Sequence, residues 1–360
     1  MSKGKLYEKI ADYLKNAIEK GELKIGEAIY SEPELCAKFN VSRTSVRKAI
    51  RQLAGENILV SRQGLGTFVK GDGHGLIHNT VCLVNHWTRS LRYDRTETYY
   101  MDEIFGIESE CSRRQINFQM FSGIIKSKDE LLTQMQNHKL DGIVLDGNYQ
   151  THEKDIKIFK NITPHIVVLD GNPAETDLPC MVPDEITGYE KILQLAARHK
   201  NICFLHETMS AVGRRKLAAF KKALKKYRLT EITFLDYSSK INYDNFYNVD
   251  HYPLVYYTLN KFLENGNKPE AIICAQDHAA IKTINILKQK NFIIPDDISV
   301  FGFSGMTISE MTVPPLSTVK LDSSEMGKKA VEFLCDIIQG KTEDKIRCCP
   351  VTLLERASHK

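Results

Sequence analysis

The stretch that decides the fold of the N-terminal region is GELKIGEAIYSEPELCAKFNVSRTSVRKAIRQLAGENILVSRQGLGTFV, residues 21–69. Within it, the run SEPE at 31–34 is a helix capping box, in which Ser31 caps and Glu34 reaches back. A further helix is expected to follow with Ser42 as its cap, and two short helices joined by about three residues form a helix-turn-helix. The glycine-bearing run at 63–66 then separates two strand-like segments, which predicts a β-hairpin wing.

Upstream of this stretch, apolar residues recur at helical spacing at Leu6, Ile10, Leu14 and Ile18. This pattern predicts one more amphipathic helix, which ends near Lys20 because Gly21 follows. The first seventy residues therefore read as helix, helix, helix and hairpin, an α+β winged helix-turn-helix.

The outer face of the third predicted helix is basic. Arg43, Arg47 and Arg51 recur every four residues, so they share one stripe, and Thr44 and Ser45 flank them. The arginine fork grips guanine edges or phosphates, and short hydroxyls at a helix N-terminus suit phosphate oxygens. A generic three-helix domain with solvated arginines is the alternative interpretation.

Charge is distributed unevenly along the 360 residues. Residues 1–70 contain 13 Lys and Arg against 8 Asp and Glu, whereas the other 290 contain 36 against 37. A small basic region attached to a near-neutral large one favours a nucleic-acid reader joined to a second module.

The N-terminal run resembles the winged helix of the GntR family of bacterial transcription regulators, above all in SEPEL, VSRTSVRKAI and GLGTFV. The resemblance implies that Arg43 and Arg47 contact bases or phosphates of double-stranded operator DNA, and that the wing tip enters the minor groove. The predicted DNA-binding residues are Ser31, Arg43, Thr44, Ser45, Arg47, Gln63 and Gly64.

From Thr80 onward, short apolar runs alternate with helix-length amphipathic stretches. The predicted strands are 80–85, 142–146, 165–170, 201–206, 231–236, 271–275 and 298–303. Near-continuous apolar strands joined by helical crossovers indicate α/β structure with buried parallel sheets, here two doubly wound lobes. Three glycines within 71–75 mark a connector. The predicted units are a DNA-binding domain at 1–70, a linker at 71–78 and an effector-binding and dimerisation domain at 79–360.

This second region resembles the sugar-binding domain of the LacI/GalR family, which is of the type I periplasmic-binding-protein kind. The similarity is strongest in PEAIICAQDHAAIKTINILKQKNFIIPDDISVFGF and PPLSTVKLDSSEMGKKAVEFL. A GntR-type head on such a sensor is the arrangement of the arabinose repressors. The resemblance implies a homodimeric repressor of carbohydrate-utilisation genes, relieved by a monosaccharide such as L-arabinose. An activator, or a regulator that answers to another small metabolite, remains open.

The effector pocket is expected at the carboxyl ends of the strands, in the cleft between the lobes. The resemblance places Gln276, Asp277 and Ser304 there, with Lys216 and the adjacent Arg214 standing where the family has an arginine. Four further polar residues, Asn85, Asp146, Asp170 and His206, end predicted strands. Trp87, the single tryptophan, offers a face for a sugar ring, although it is equally compatible with a core or interlobe anchor.

Other classes of protein receive less support. The chain has no G-x-x-x-x-G-K-[ST], G-x-S-x-G, H-E-x-x-H or dinucleotide fingerprint, which disfavours an enzyme with an accessory DNA-binding domain. An architectural DNA binder without an effector is a further alternative. No cofactor or metal is expected. The nine scattered cysteines and the charged N-terminus indicate a cytoplasmic protein that has no membrane association.

Overall fold

The computed structural model describes residues 4–24, 27–56, 58–62, 66–70, 76, 78–85, 99–122, 131, 133–135, 138–147, 153–227, 229, 232–238 and 252–360. The predicted site residues Gln63, Gly64 and Trp87 lie outside these ranges, as does the side chain of Asn85. No helix of the described part is both long and apolar enough to cross a membrane.

The N-terminal unit, hereafter the head, has the predicted order of elements. It consists of α1 (Gly4–Glu19), α2 (Glu32–Phe39), α3 (Arg43–Gly55) and the antiparallel strands β1 (Leu59–Arg62) and β2 (Gly66–Val69). The apolar faces of the three helices meet around the fully buried Leu14, Leu35 and Leu53. One detail differs from the expected caps, because the Ser42 side chain lies at the start of α3 without bonding to a helix N–H.

The remaining elements alternate between strand and helix. In chain order they are β3 (Thr80–Asn85), α4 (Tyr99–Arg113), β4 (Asn117–Ser122), β5 (Gly142–Asp146), α5 (Glu153–Lys160), β6 (Ile166–Leu169), β7 (Cys180–Pro183), α6 (Glu185–Ala196), β8 (Ile202–His206), α7 (Ala211–Leu224), β9 (Ile232–Asp236), α8 (Tyr252–Glu264), β10 (Ala271–Cys274), α9 (Asp277–Gln289), β11 (Ser299–Ser304), β12 (Ser317–Leu321), α10 (Ser323–Ile338), β13 (Ile346–Cys349) and β14 (Val351–Leu354).

These strands form two six-stranded sheets, as expected for two doubly wound lobes. The N-lobe sheet has the order β13-β7-β6-β5-β3-β4 and is parallel throughout. The C-lobe sheet has the order β14-β12-β11-β10-β8-β9 and is parallel except for β14. All seven predicted strands are present.

The chain passes between the lobes at three places, between β7 and α6, between β12 and α10, and between β13 and β14. After the second crossing, α10 returns to the N-lobe and packs against α4. Two glycines permit this approach. A Cβ on Gly106 would lie 2.0 Å from the backbone oxygen of Ser324, and one on Gly327 would lie 2.3 Å from that of Glu103. The position of α4 is therefore fixed by backbone contact beside a hinge.

The head contacts the N-lobe at the junction of the two units. Leu76 is buried in the N-lobe core, and the backbone N–H of His78 donates to the Asp141 carboxylate at 3.0 Å. The ring of His78 in turn lies against α1, with its Nε2 atom 3.2 Å from the carboxylate of Glu19.

Candidate nucleic-acid interface and ligand cleft

The start of α2 is organised by the predicted capping box. The backbone N–H of Ser31 donates to Glu34 Oε2 at 2.7 Å, and the Ser31 hydroxyl accepts from the backbone N–H of Glu34 at 3.4 Å. The Ser31 hydroxyl also donates to Glu34 Oε2 at 2.8 Å, and the two bonds that Ser31 donates to this carboxylate lower the pKa of Glu34. Ser31 thus fixes the entry to α2, and its contact with DNA stays a prediction.

The outer face of α3 presents the predicted basic stripe to solvent. Arg43, Thr44 and Arg47 are exposed, and Ser45 is half-buried with its hydroxyl 3.3 Å from that of Ser42. Arg47 is not free, because its Nε donates to both carboxylate oxygens of Glu32 at 3.0 Å, and this contact raises the arginine pKa. The helix-turn-helix therefore orients Arg47 through α2 and leaves Arg43 at the tip of α3.

The N-lobe wall of the cleft carries carboxylates. Asp146 ends β5 and is buried, and Asp170 follows the neighbouring β6 with a positive φ of 56°. The Tyr99 hydroxyl donates to Asp170 at 3.3 Å. Beside them, Glu103 on α4 is only 7% exposed, and its Oε1 atom has no hydrogen-bond partner among the described residues.

Arg215 joins the N-lobe wall to the C-lobe. This residue of α7 donates to Asp170 at 2.5 Å, to the backbone oxygen of Gly171, and to Glu185 at 2.8 and 3.1 Å. Both carboxylates raise its pKa and keep the buried guanidinium charged. Arg215 of α7 therefore connects the two residues that follow β6 with the first residue of α6.

The start of α7 holds two adjacent arginines in place. The Ser210 hydroxyl caps the helix by accepting from the Gly213 N–H at 2.8 Å, and buried Glu207 accepts from the Ser210 N–H at 2.8 Å. Arg214 then forms a bidentate pair with Glu175 of the N-lobe, at 2.6 and 2.8 Å. Arg214 thus lies at the half-exposed rim of the cleft and bridges the lobes there.

The C-lobe wall satisfies its own polar groups. The Lys216 ammonium is buried and donates to the backbone oxygen of Ala275 at 2.9 Å, and burial lowers its pKa. Asp277 is fully buried, and it accepts from the Thr318 hydroxyl at 2.5 Å and from the Met306 N–H at 2.8 Å. Burial raises the pKa of Asp277 to about 6. In this conformation Asp277 supports the loop after β11 more than it faces a ligand.

Two more predicted residues lie at the ends of C-lobe strands. Gln276 is half-buried and occupies the N-cap of α9, and Ser304 ends β11 with an unusual φ of 144°. A non-glycine residue there carries strain of the kind that clusters at functional sites. These two positions remain available to a ligand, whose contacts stay a prediction.

His206 is not grouped with the carboxylates. It ends β8 and is buried, but its ring stacks on Phe204 and meets Phe234 edge-on. Burial lowers its pKa. His206 therefore lies on the face of the C-lobe sheet, apart from Asp146 and Asp170.

Four residues that the sequence analysis did not select belong to this arrangement: Tyr99, Glu103, Glu185 and Arg215. A signal for Glu103 exists in the sequence, since the buried stripe of α4 has glutamates at 103 and 110 where apolar residues are usual. The signal for Arg215 is weaker, because three consecutive basic residues leave open which one faces inward.

Two family profiles match the chain. Residues 6–69 match the family described as bacterial regulatory proteins, gntR family, and residues 194–359 match the periplasmic binding protein-like domain. The two matches correspond to the head and to a segment that spans the C-lobe and the last N-lobe elements.

Similar proteins include transcriptional regulators. An arabinose metabolism transcriptional repressor from Geobacillus stearothermophilus is 25% identical over 347 residues, which cover 91% of this chain and 89% of that protein. Among solved structures, the lac repressor dimer bound to operator and the anti-inducer ONPF has a TM-score of 0.62 at 19% identity, covering 78% of this chain and 93% of that chain. The transcriptional regulator CelR–cellobiose complex also has a TM-score of 0.62 at 19% identity, covering 88% and 91%.

The structural matches bear on the fold, and the profile matches bear on the two units. The gntR profile match coincides with the head, and the structural matches agree with the two parallel-sheet lobes. The chain thus combines a head that matches the gntR family of bacterial regulatory proteins with a two-lobed region that matches the periplasmic binding protein-like domain and shares its fold with the lac repressor.

Proposed function

We propose that the protein is a cytoplasmic transcriptional repressor of carbohydrate-utilisation genes that binds operator DNA as a homodimer and releases it when a small sugar enters the interlobe cleft. The observation that carries the proposal is the exposed α3 stripe of Arg43 and Arg47 on a winged helix, joined to a two-lobed sensor. Residues 1–70 read the DNA, 71–78 link the units, and 79–360 bind the effector and the second subunit.

Support for the sugar comes from the relatives. One is named an arabinose metabolism repressor, and a structural neighbour holds cellobiose in a sensor of the same fold. An effector shifts a two-state equilibrium only through its different affinities for the two states, with coupling of about 1–3 kcal/mol. We therefore expect a sugar to lower operator affinity by about 5–150-fold, and operator to lower sugar affinity by the same factor.

The deciding experiment measures binding of an operator fragment, selected from random duplexes by the purified protein, to Arg43→Ala and Arg47→Ala. Removal of a guanine contact costs about 1–3 kcal/mol of binding free energy, whereas removal of a phosphate contact reduces the salt slope by about 1. The double variant is expected to lose specific binding.

Arg198→Ala is the matched control for the single variants. Arg198 is exposed and lies in the sensor, and its replacement removes one positive charge, as each single variant does. Its operator affinity should equal that of the wild type. Unchanged affinity in the Arg43→Ala/Arg47→Ala double variant would refute α3 as the reading helix. Equal sugar affinity with and without operator would refute the coupling.

A further inference from the structure

Glu103 is an unusual residue for its position. It occupies the buried stripe of α4. A Cβ atom added to Gly327 of α10 would lie 2.3 Å from the backbone oxygen of Glu103, so the two helices are in backbone contact here. The helix cannot move at this turn without separating from α10. This contact fixes the Glu103 side chain near the C-terminal ends of the N-lobe strands, where Asp146 and Asp170 lie.

The surroundings of Glu103 are mainly acidic, and Tyr99 forms a side-chain hydrogen bond with it. Asp146 and Asp170 are close enough to influence its ionisation, and the one nearby guanidinium, that of Arg215, bonds to Asp170 and Glu185 instead. Among the described residues, Glu103 Oε1 has no hydrogen-bond partner although the side chain is more than nine-tenths buried. A buried polar atom without a partner is expensive, and such atoms mark places where a missing molecule completes the bonding.

Glu110 shows what the same helix does with a buried glutamate of purely structural role. It lies two turns further along α4 and is 3% exposed, but Arg113 donates to it at 2.5 and 2.7 Å. Those contacts lower the pKa of Glu110. Burial instead raises the pKa of Glu103 well above its usual range, and Asp170 and Asp146 raise it further. The environment of Glu103 therefore favours the uncharged form of its carboxyl group.

We propose that Glu103 is a specificity-determining residue of the cleft, which bonds a hydroxyl group of an uncharged sugar through its free Oε1 and turns away anionic sugars. This inference rests on the proposed function, because it names the chemistry of that effector. A neutral carboxylic acid both donates to and accepts from a hydroxyl. An anionic ligand would meet Glu103, Asp146 and Asp170 with one arginine that already has two carboxylate partners.

The test uses isothermal titration calorimetry of the full-length protein with L-arabinose, D-xylose, D-galactose and cellobiose, and with D-galactosamine and D-galacturonate as charged analogues. We expect at least one neutral sugar to bind and D-galacturonate not to bind. Glu103→Ala should weaken the neutral sugar by about tenfold or more, whereas Glu103→Gln, which keeps a neutral donor and acceptor, should stay within about threefold. Glu110→Gln is the matched control and should leave affinity unchanged.

A pH series provides a readout that a structural role would not move. The groups that face Glu103 are Tyr99 on its own helix, Asp146 and Asp170 at the sheet edge, and Arg215 from α7, while α10 presents a glycine. Because the acid form binds, wild-type affinity should hold at low pH and fall as the pH rises through the Glu103 pKa. The ratio of wild-type to Glu103→Gln affinity isolates this change from groups common to both.

Each other outcome overturns the inference in a distinguishable way. Equal affinity of wild type and Glu103→Ala for a bound sugar would make Glu103 structural while leaving the proposed function intact. Tighter binding of D-galactosamine than of D-galactose, lost in Glu103→Gln, would mean that the site is an anionic one for an amino sugar. If none of the neutral sugars binds the wild type, both the inference and the sugar-responsive function fail.

Discussion

The two walls of the cleft differ in where their charged side chains find hydrogen-bond partners. On the C-lobe wall, Lys216 and Asp277 are buried with their partners beside them on the same lobe. On the N-lobe wall, Asp170 depends on Arg215 from the other lobe, and Glu103 keeps an oxygen unbonded. The polar groups of the C-lobe wall are therefore satisfied within their own lobe, whereas those of the N-lobe wall need partners from across the cleft.

The comparison is tested most strongly by two neighbouring residues of α7. Arg215→Met leaves the buried Glu185 and the half-buried Asp170 without their cation, so the free energy of unfolding should fall by about 3–5 kcal/mol. Lys216→Met removes the hydrogen-bond donor to the Ala275 backbone oxygen. The free energy of unfolding should therefore fall by about 1–3 kcal/mol. Urea unfolding followed by far-ultraviolet circular dichroism measures both. Equal losses would erase the distinction between the walls.

A second prediction concerns the C-lobe wall and pH. The pKa of Asp277 is raised to about 6 in the folded protein from an ordinary value of 3.8. Its contribution to stability is therefore fully present below the unfolded value and is lost as the pH rises through the folded one, an effect of about 3 kcal/mol. Asp277→Asn keeps an acceptor in place and should remove this dependence.

Thermal or urea unfolding of wild type and Asp277→Asn, measured about every half pH unit between pH 3 and pH 8, compares the pH dependence of their stabilities. Parallel stability curves for wild type and Asp277→Asn would contradict it. Asp277→Ala serves as the companion variant, because loss of the acceptor for Thr318 and Met306 should cost about 1–3 kcal/mol at every pH.

The smallest expected effect belongs to the rim of the cleft. Arg214 and Glu175 form a well-oriented bidentate pair across the lobes, but both side chains are about one-third exposed. Solvent screening should hold their coupling below about 1 kcal/mol in a double-mutant cycle of Arg214→Gln and Glu175→Gln. A larger coupling would mean that Arg214 at the rim, like Arg215, makes a substantial contribution to holding the N-lobe against α7.

The sequence was most informative where structure and chemistry are local. The capping box at Ser31, the stripe of Arg43 and Arg47, and the buried strands that end at Asp146 and His206 all follow from spacing within a few residues. The strands β4, β7, β12, β13 and β14 were not predicted. Strand β4 reads NFQMFS, which alternates with polar residues, and the others are only four or five residues long.

The cleft itself was only partly predictable for a physical reason. Strand ends reveal that Asp170 lies at the sheet edge, but Arg215 reaches it from another lobe through the geometry of three chain crossings. Likewise, no spacing rule distinguishes the unbonded Glu103 from the salt-bridged Glu110. The difference arises from which end of α4 faces the cleft, and that is set by its glycine contacts with α10.

The junction at Leu76 and His78 limits how far the head can travel. Leu76 is fixed in the N-lobe core, and the last head residue with a described position is Lys70, so six backbone steps separate the two anchors. Such a segment spans at most about 22 Å. Half-sites of an operator lie about 34 Å apart for each helical turn. In the proposed dimer the two tethers together span at most about 44 Å, which exceeds one added turn between half-sites but not two. We therefore expect that an operator whose half-sites are moved apart by two turns is no longer bound by both heads.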